Sequence, residues 1–244
     1  MFLRLIGLVI ILFLFAAPCM AEPLDIAISS LAAEDSPEAL ATEYLKKLIE
    51  ERSSGRMLVT IETSNTQHND ILKALSKQQI QFALLNIRDL QQTLPMLQIC
   101  ELPFLFRDRK HLHRSLDNEM GSRVLQASQK QQLTPLAVWD GPAQQLLLDT
   151  GKTDNKKALR QLIAFQLAEK KQMSHPENHW QETSLQEATK RKDWHHMNVL
   201  IRTDHRFSLS ILLAQQSFWQ ALPADIRVII EGAIRDASLY NQEL

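Results

Sequence analysis

Cysteine is almost missing from this chain: of 244 residues only Cys19 and Cys100 are cysteines. Once the leader segment described below is removed, Cys100 stands alone. No intramolecular disulfide can then form, and the fold has to rely on its core. Glycine is scarce as well, with 6 residues, so most tight turns must be built from other residue types. Charge of one sign is not in excess: the formal net charge is -1 with 23% charged residues, and nothing there suggests nucleic acid or an anionic membrane surface as partner. The motifs of common catalysts are absent too. There is no G-x-S-x-G elbow, no glycine-rich phosphate loop and no H-E-x-x-H, so no enzymatic activity and no cofactor is expected. Cys100 lies among Leu97, Ile99 and Leu102, surroundings that suit a buried, inert thiol.

Long apolar runs occur only at the start. Arg4 precedes Leu5–Phe15, which is short for a bilayer span; Ala16, Ala17 and Pro18 loosen the run, and Cys19-Met20-Ala21 offers small residues at the two positions a signal peptidase reads. Residues 1–21 therefore read as a signal peptide cleaved after Ala21, with an uncleaved anchor as the alternative. Lipid attachment at Cys19 is disfavoured by Pro18. Export without disulfides points to a bacterial periplasm.

Periodicity sets out the rest. Leu24–Ile28 alternates as a strand, and Ser36-Pro37-Glu38 is a helix start in which Ser36 caps and Pro37 takes the first position. Ala41, Tyr44, Leu45, Leu48 and Ile49 form one apolar stripe, ended by Gly55. Met57, Val59 and Ile61 alternate as a strand; Asn69 is expected to cap a helix bearing Ile71, Leu72 and Leu75. Ile80–Leu85 is a nearly continuous apolar run, as in a strand covered on both faces. This β-α-β-α-β order argues for a parallel-type sheet covered by helices. A charged helix over 108–130 should turn Lys110, His111, His113 and Arg114 to solvent. Strands are expected at Leu133–Trp139, Gln145–Leu148 and Asn198–Ile201, with a turn at Asp140-Gly141-Pro142 that also suits a hinge. Leu162–Leu167 reads as a strand or as part of a helix over 155–171, and 170–193 as loosely packed polar chain. Ile226, Ile229, Ile230, Ala233, Ile234, Ala237 and Tyr240 mark a C-terminal helix.

Histidines form the one cluster that suggests a metal. His175 and His179 stand four apart, with His195 and His196 nearby, but Pro176 interrupts any helix between them, so a solvated polar loop is the better reading and no metal site is expected. Glu101-Leu102-Pro103-Phe104-Leu105-Phe106-Arg107 is the most informative segment. Its four large apolar residues around a proline should be buried as a connector through the core.

In this order and context the chain resembles the DctP family of solute receptors of TRAP (tripartite ATP-independent periplasmic) transporters. The resemblance is carried by the helix over 41–52 leading into Ser53-Ser54-Gly55-Arg56, by 70–85, by Leu102–Asp108, by Met120-Gly121, by the strand ending at Trp139, and by Ser217-Phe218-Trp219-Gln220-Ala221-Leu222-Pro223. It implies an α/β, two-lobed periplasmic-binding-protein-like fold of type II-like architecture, with a ligand held between the lobes. It also implies membrane permease subunits as partners, and a small-molecule solute, usually an organic acid held by an arginine, as ligand. On this view residues 22–140 form the first lobe, 141–204 a reduced second lobe with a polar insert, and 205–244 a segment packing back on both.

The chain departs from the family at that arginine, whose position falls on Phe165, and at a second basic position taken by Ala143, Gln144 and Gln145. It is also shorter, the deficit falling over 170–198, where Leu185-Gln186-Glu187-Ala188 resembles a remnant of a family segment. Candidate ligand contacts are Ser30, Asn86, Arg88, Trp139, Gln144, Phe165 and Gln166, with Arg88 as substitute anion anchor and Phe165 and Trp139 as stacking surfaces. Two readings follow: a receptor for a small organic solute, or a degenerate receptor acting as a periplasmic interaction or sensor-adaptor protein.

Overall fold

The computed structural model describes residues 22–63, 67–91, 94–128, 132–149, 151–167, 180–190 and 197–244. The expected first half is present. Strand β1 (Leu24–Ser30) is followed by helix α1 (Pro37–Arg52), β2 (Met57–Thr63), α2 (His68–Ser76), β3 (Phe82–Asn86) and a short α3 (Ile87–Leu90). The Ser36 side chain accepts a hydrogen bond from the Ala39 amide, fixing the start of α1, and Gly55 takes the positive φ of 79° that ends it. Helix α2 starts one residue before the expected Asn69, after Gln67, and has no side-chain cap.

A 3-10 helix (Pro95–Glu101), α4 (Arg109–Leu116) and α5 (Glu119–Ser128) lead to β4 (Leu133–Leu148). The charged stretch is thus two helices, and His113 on the first of them turns inward. Next come α6 (Asn155–Leu167), β5 (Trp180–Ser184), α7 (Leu185–Lys190), β6 (Val199–Gln215), α8 (Gln216–Ala221) and α9 (Ala224–Glu243). Phe165 and Gln166 therefore sit in the last turn of a helix, not on a strand. Part of the expected loose polar chain is a strand and a helix, with Trp180, Thr183 and Ser184 buried. His175, His179, His195 and His196 lie outside the described residues.

The six strands form one sheet in the order β2-β1-β3-β6-β4-β5. It is mixed: β1 pairs in parallel with β2 and β3, whereas β6 runs antiparallel to β3 and β4, and β5 antiparallel to β4. Helices α1 and α9 cover one face around Ile26, Phe82, Trp139, Leu212 and Ile230. The other face is covered by α2 to α5 around Leu85, Cys100, Phe106, Leu112 and Leu213. A separate small cluster of Leu146, Leu148, Ala158 and Trp180 marks the second, smaller lobe.

Strands β4 and β6, 16 and 17 residues long, run through both lobes. The expected turn at Asp140-Gly141-Pro142 is absorbed into β4 as a register irregularity between Asp140 and Ala143. Proline has no amide to give the ladder, and a bulge is where a paired strand tolerates that. The connector at 102–106 also differs from expectation. Phe106 is buried, but Leu102 and Phe104 are 37% and 49% exposed. The Phe104 amide donates to the His205 carbonyl, and its positive φ of 61° turns the ring outward.

Helix α9 holds the bulge in place. The buried Asn241 side chain accepts from the Asp140 amide and donates to the Asp140 carbonyl, both at 3.0 Å. Replacing Asn241 by Ala strands two buried backbone groups. The expected cost is roughly 2 kcal/mol or more, read as a lower urea midpoint with an unchanged slope.

Candidate binding site at the lobe junction

The end of β3 opens the site. Asn86 caps α3, accepting from the Arg88 amide at 2.9 Å, and donates to the Ser208 hydroxyl on β6 at 2.8 Å. That fixes the turn that sends Arg88 across the lobe junction. Its Nε donates to Glu101 Oε2 at 3.0 Å, and its Nη2 lies 3.6 Å from Glu182 Oε2. Arg206 of β6 is 95% buried between the same two carboxylates, its Nη1 donating to Glu101 and its Nη2 to Glu182 at 3.0 Å. His205 is fully enclosed, with Nε2 2.7 Å from Glu182 Oε1 and Nδ1 2.7 Å from the Thr203 hydroxyl. A neutral ring satisfies both contacts, donating to the carboxylate and accepting from the hydroxyl.

The result is a balanced cluster of two guanidiniums and two carboxylates, drawn from the first lobe (Arg88, Glu101), from β6 (Arg206) and from the second lobe (Glu182). Two of its buried atoms, Glu101 Oε1 and Arg206 Nε, make no hydrogen bond with the protein. Gln145 steadies the adjacent bend in β6: it accepts from the Thr203 and Asp204 amides and donates to Asp204, which has a φ of 42°.

A second charged group lies at the bulge. Asp140, 1% exposed, meets Arg109 Nη1 and His113 Nε2, each at 2.9 Å. Glu38, in the first turn of α1, packs against Gly141 so closely that a Cβ there would lie 2.0 Å from its Oε1. Beside this group a cavity of about 550 Å³ opens between the lobes, bounded by Pro37 and Leu40 on one side and by Gln145, Leu185 and Arg202 on the other.

Of the candidate ligand residues, Asn86, Arg88 and Gln144 come together: Gln144 stands opposite Arg206 in the β4–β6 ladder. Ser30 is buried, and its hydroxyl accepts from the Ala32 amide. Trp139 is no stacking surface. It is 1% exposed in the core against α9, and its indole donates to the Ser238 hydroxyl. Glu101, Glu182, His205 and Arg206 were missed as site residues because charges that neutralise one another inside the fold read as ordinary surface in sequence. The one available signal was Arg206 directly before the apolar alternation Phe207-Ser208-Leu209. Chemically the site can hold and orient polar groups. Burial pushes the Cys100 thiol up to about 12, so it is no nucleophile. Among the described residues no cluster of metal-binding side chains occurs.

The two charged groups respond to acid in opposite ways. Burial would raise the Glu182 carboxyl, but the His205 hydrogen bond and the charges of Arg206 and Arg88 outweigh it and leave the group at about 2, against an ordinary 4.5. A depressed carboxylate contributes stability above its unfolded pKa and loses it as pH falls through the folded one. Between pH 4.5 and about 2 the fold should lose about 3 kcal/mol on this account, a loss that Glu182→Gln removes from an acid denaturation profile. Burial raises Glu38, with its own backbone and Ser36 pulling it partly back, and burial raises Asp140 against the pull of Arg109 and His113. Raised carboxyls act the other way: they burden the fold at neutral pH and relieve it as they take up protons. Glu38→Gln should therefore raise the melting temperature at pH 7, by an amount that shrinks as the pH is lowered.

With this geometry in hand, comparison with known proteins is informative. The family described as bacterial extracellular solute-binding protein, family 7 (DctP) matches residues 28–162. The C4-dicarboxylate-binding periplasmic protein DctP of Shewanella loihica is 24% identical over 92% of this chain and 74% of its own length. The C4-dicarboxylate-binding protein DctB of Bacillus subtilis is 21% identical over 88% of this chain and 68% of its own. Among solved structures, a TRAP periplasmic solute-binding protein from Sulfurospirillum deleyianum with bound succinate superposes with a TM-score of 0.73 at 20% identity, covering 92% of this chain and 80% of that one. One from Pseudomonas aeruginosa with bound L-malate gives 0.74 at 21% identity, covering 91% and 85%. No helix among the described residues is long and apolar enough to cross a membrane. More than half of the sequence lies inside the family match and the two-lobed α/β architecture is shared, so the chain belongs to the DctP-type bacterial extracellular solute-binding proteins of family 7.

Proposed function

We propose that this protein is the solute-binding component of a TRAP-type transport system, and that it captures a small carboxylic acid between its lobes without chemical change. Closure over the solute would build the surface that membrane permease subunits read. The supporting observation is the pair of guanidiniums, Arg88 and Arg206, at the lobe junction, held by carboxylates from both sides. A guanidinium already seated on a carboxylate has the fork geometry that a ligand carboxylate needs. The C4-dicarboxylate names of the relatives and the succinate and malate bound in similar folds support the same class.

Arg88, 42% exposed at its side chain, is the reachable anchor, with Asn86 and Gln144 beside it. In this reading the chain works in the periplasm after removal of residues 1–21. Its lobes divide near 140, with 205–244 packing back on both. One observation favours a second reading. Both arginines are already neutralised from within, as would suit a receptor that no longer takes up solute and serves as an interaction or adaptor protein.

A thermal-shift and calorimetric screen of carboxylic acids separates the two. Capture predicts a shift of several degrees at 100 times the dissociation constant, and Arg88→Ala should weaken binding by about 2 kcal/mol or more. A flat screen on folded protein supports the adaptor reading.

A further inference from the structure

We propose that Glu101 and Glu182 determine the charge of the ligand, and that the crevice selects a zwitterionic carboxylic acid, an amino acid in the broad sense, over a dianionic dicarboxylate. The inference rests on the solute-capture reading and names the substrate class of that same site.

The division of the cluster between the two walls of the crevice is the starting point. Arg88 and Glu101 both belong to the first lobe and pair with each other at 3.0 Å. Arg206, at the point where β6 passes from one lobe to the other, pairs with Glu182 of β5 in the second lobe, also at 3.0 Å. When the lobes part, the cross-links Arg206–Glu101 and Arg88–Glu182 break, but each wall keeps one cation and one anion. Both walls are then neutral, and each presents a guanidinium beside a carboxylate.

A dicarboxylate entering that space meets two arginines whose charge is already balanced, and two carboxylates that repel it at short range. In a desolvated crevice that repulsion is poorly screened. A ligand with one carboxylate and one ammonium adds no net charge, and it can place each group on a wall residue of opposite sign.

The unpaired atoms agree with this. Glu101 Oε1 is a buried acceptor without a donor, and Arg206 Nε is a buried donor without an acceptor. Both belong to side chains that are 5% exposed. An ammonium satisfies the first and a carboxylate the second. A dicarboxylate can satisfy only the donor, and it leaves the Glu101 oxygen facing a like charge. At the bulge, Arg109 Nη1 and Asp140 Oδ2 face each other at 2.9 Å, and the atom left over there, Glu38 Oε2, is an acceptor, with no unpaired donor facing an acid across the junction.

The test uses ligand pairs of matched length on the purified protein by isothermal titration calorimetry: β-alanine against succinate, and 4-aminobutyrate against glutarate. The zwitterion of each pair is expected to bind at least about tenfold more tightly. Glu101→Gln should erase or reverse that order. If the variant is unstable, the charge-conserving double variant Glu101→Gln/Arg206→Gln should likewise lose it. A dianion that binds the unaltered protein as tightly as its matched zwitterion overturns the inference and leaves the solute-capture reading standing. No binding in either series, nor in the wider acid screen, overturns both.

Discussion

The pairing of β4 with β6 is the constraint on which the rest of the molecule depends. Both strands pass from the large lobe into the small one and remain hydrogen-bonded to each other at both ends. Among the described residues the small lobe's own cluster has four fully buried members, and it is joined to the large lobe through these two strands. The same strands carry the bulge at Asp140–Ala143, the bend at Asp204 and the buried Arg206. Hinge, crevice and electrostatics are therefore parts of one two-stranded ribbon, and a change in its register would move all three together.

Burying Arg206 and two carboxylates in that ribbon is costly. Desolvation of each ion amounts to several kcal/mol, and a pair inside a protein often gives back no more than it takes. The arrangement here limits the loss by sharing partners: Arg206 reaches two carboxylates, and Glu182 receives Arg206, Arg88 and His205. An apolar filling of the same space would serve stability as well, so stability does not explain these residues. What they provide is selectivity of arrangement. The arrangement seen sets Arg88 near Glu182 and Arg206 on Glu101, and a shifted closure would leave a buried charge unpaired.

The large lobe was legible in the sequence because its elements bury one face and repeat with a clean period. Strands at 24–28 and 57–61, the Ser36 cap, the apolar run at 80–85 and the stripe on α9 all announce themselves in this way. The ribbon was legible in pieces, as strands at 133–139, 145–148 and 198–201, but its continuity was not, for two physical reasons. Its second strand contains Arg202-Thr203-Asp204-His205-Arg206, which looks like a solvated loop unless the partners of Arg206 are known, and those lie 105 and 24 residues away in Glu101 and Glu182. Its first strand contains Asp140-Gly141-Pro142, a turn by local chemistry that the longer partner strand overrides. Trp139 was misplaced for a related reason. An aromatic at a strand end suggests a ligand surface, but here the C-terminal helix α9 covers it. Asn86 and Arg88 do lie at the lobe junction, as their place after the end of a strand suggested, because there a local rule, the Asn cap, decides.

Opening of the crevice follows from the same charges. In this structure each guanidinium reaches both carboxylates; in the open form that solute capture requires, each would keep the carboxylate of its own wall. Opening therefore breaks the buried Arg206–Glu101 ion pair and the looser approach of Arg88 to Glu182 at 3.6 Å. Water that enters on opening hydrates all four ions, so the difference between the states is much smaller than the Coulomb energy of two ion pairs. A ligand reaches the walls only in the open fraction, and its apparent affinity is reduced by that fraction. If the arrangement with the Arg206–Glu101 pair formed is the one a solute has to displace, weakly complementary solutes are disfavoured most, since they gain too little from the walls to offset that pair. Complementarity to both signs of charge on each wall is then the property by which a solute competes with the protein's own carboxylates.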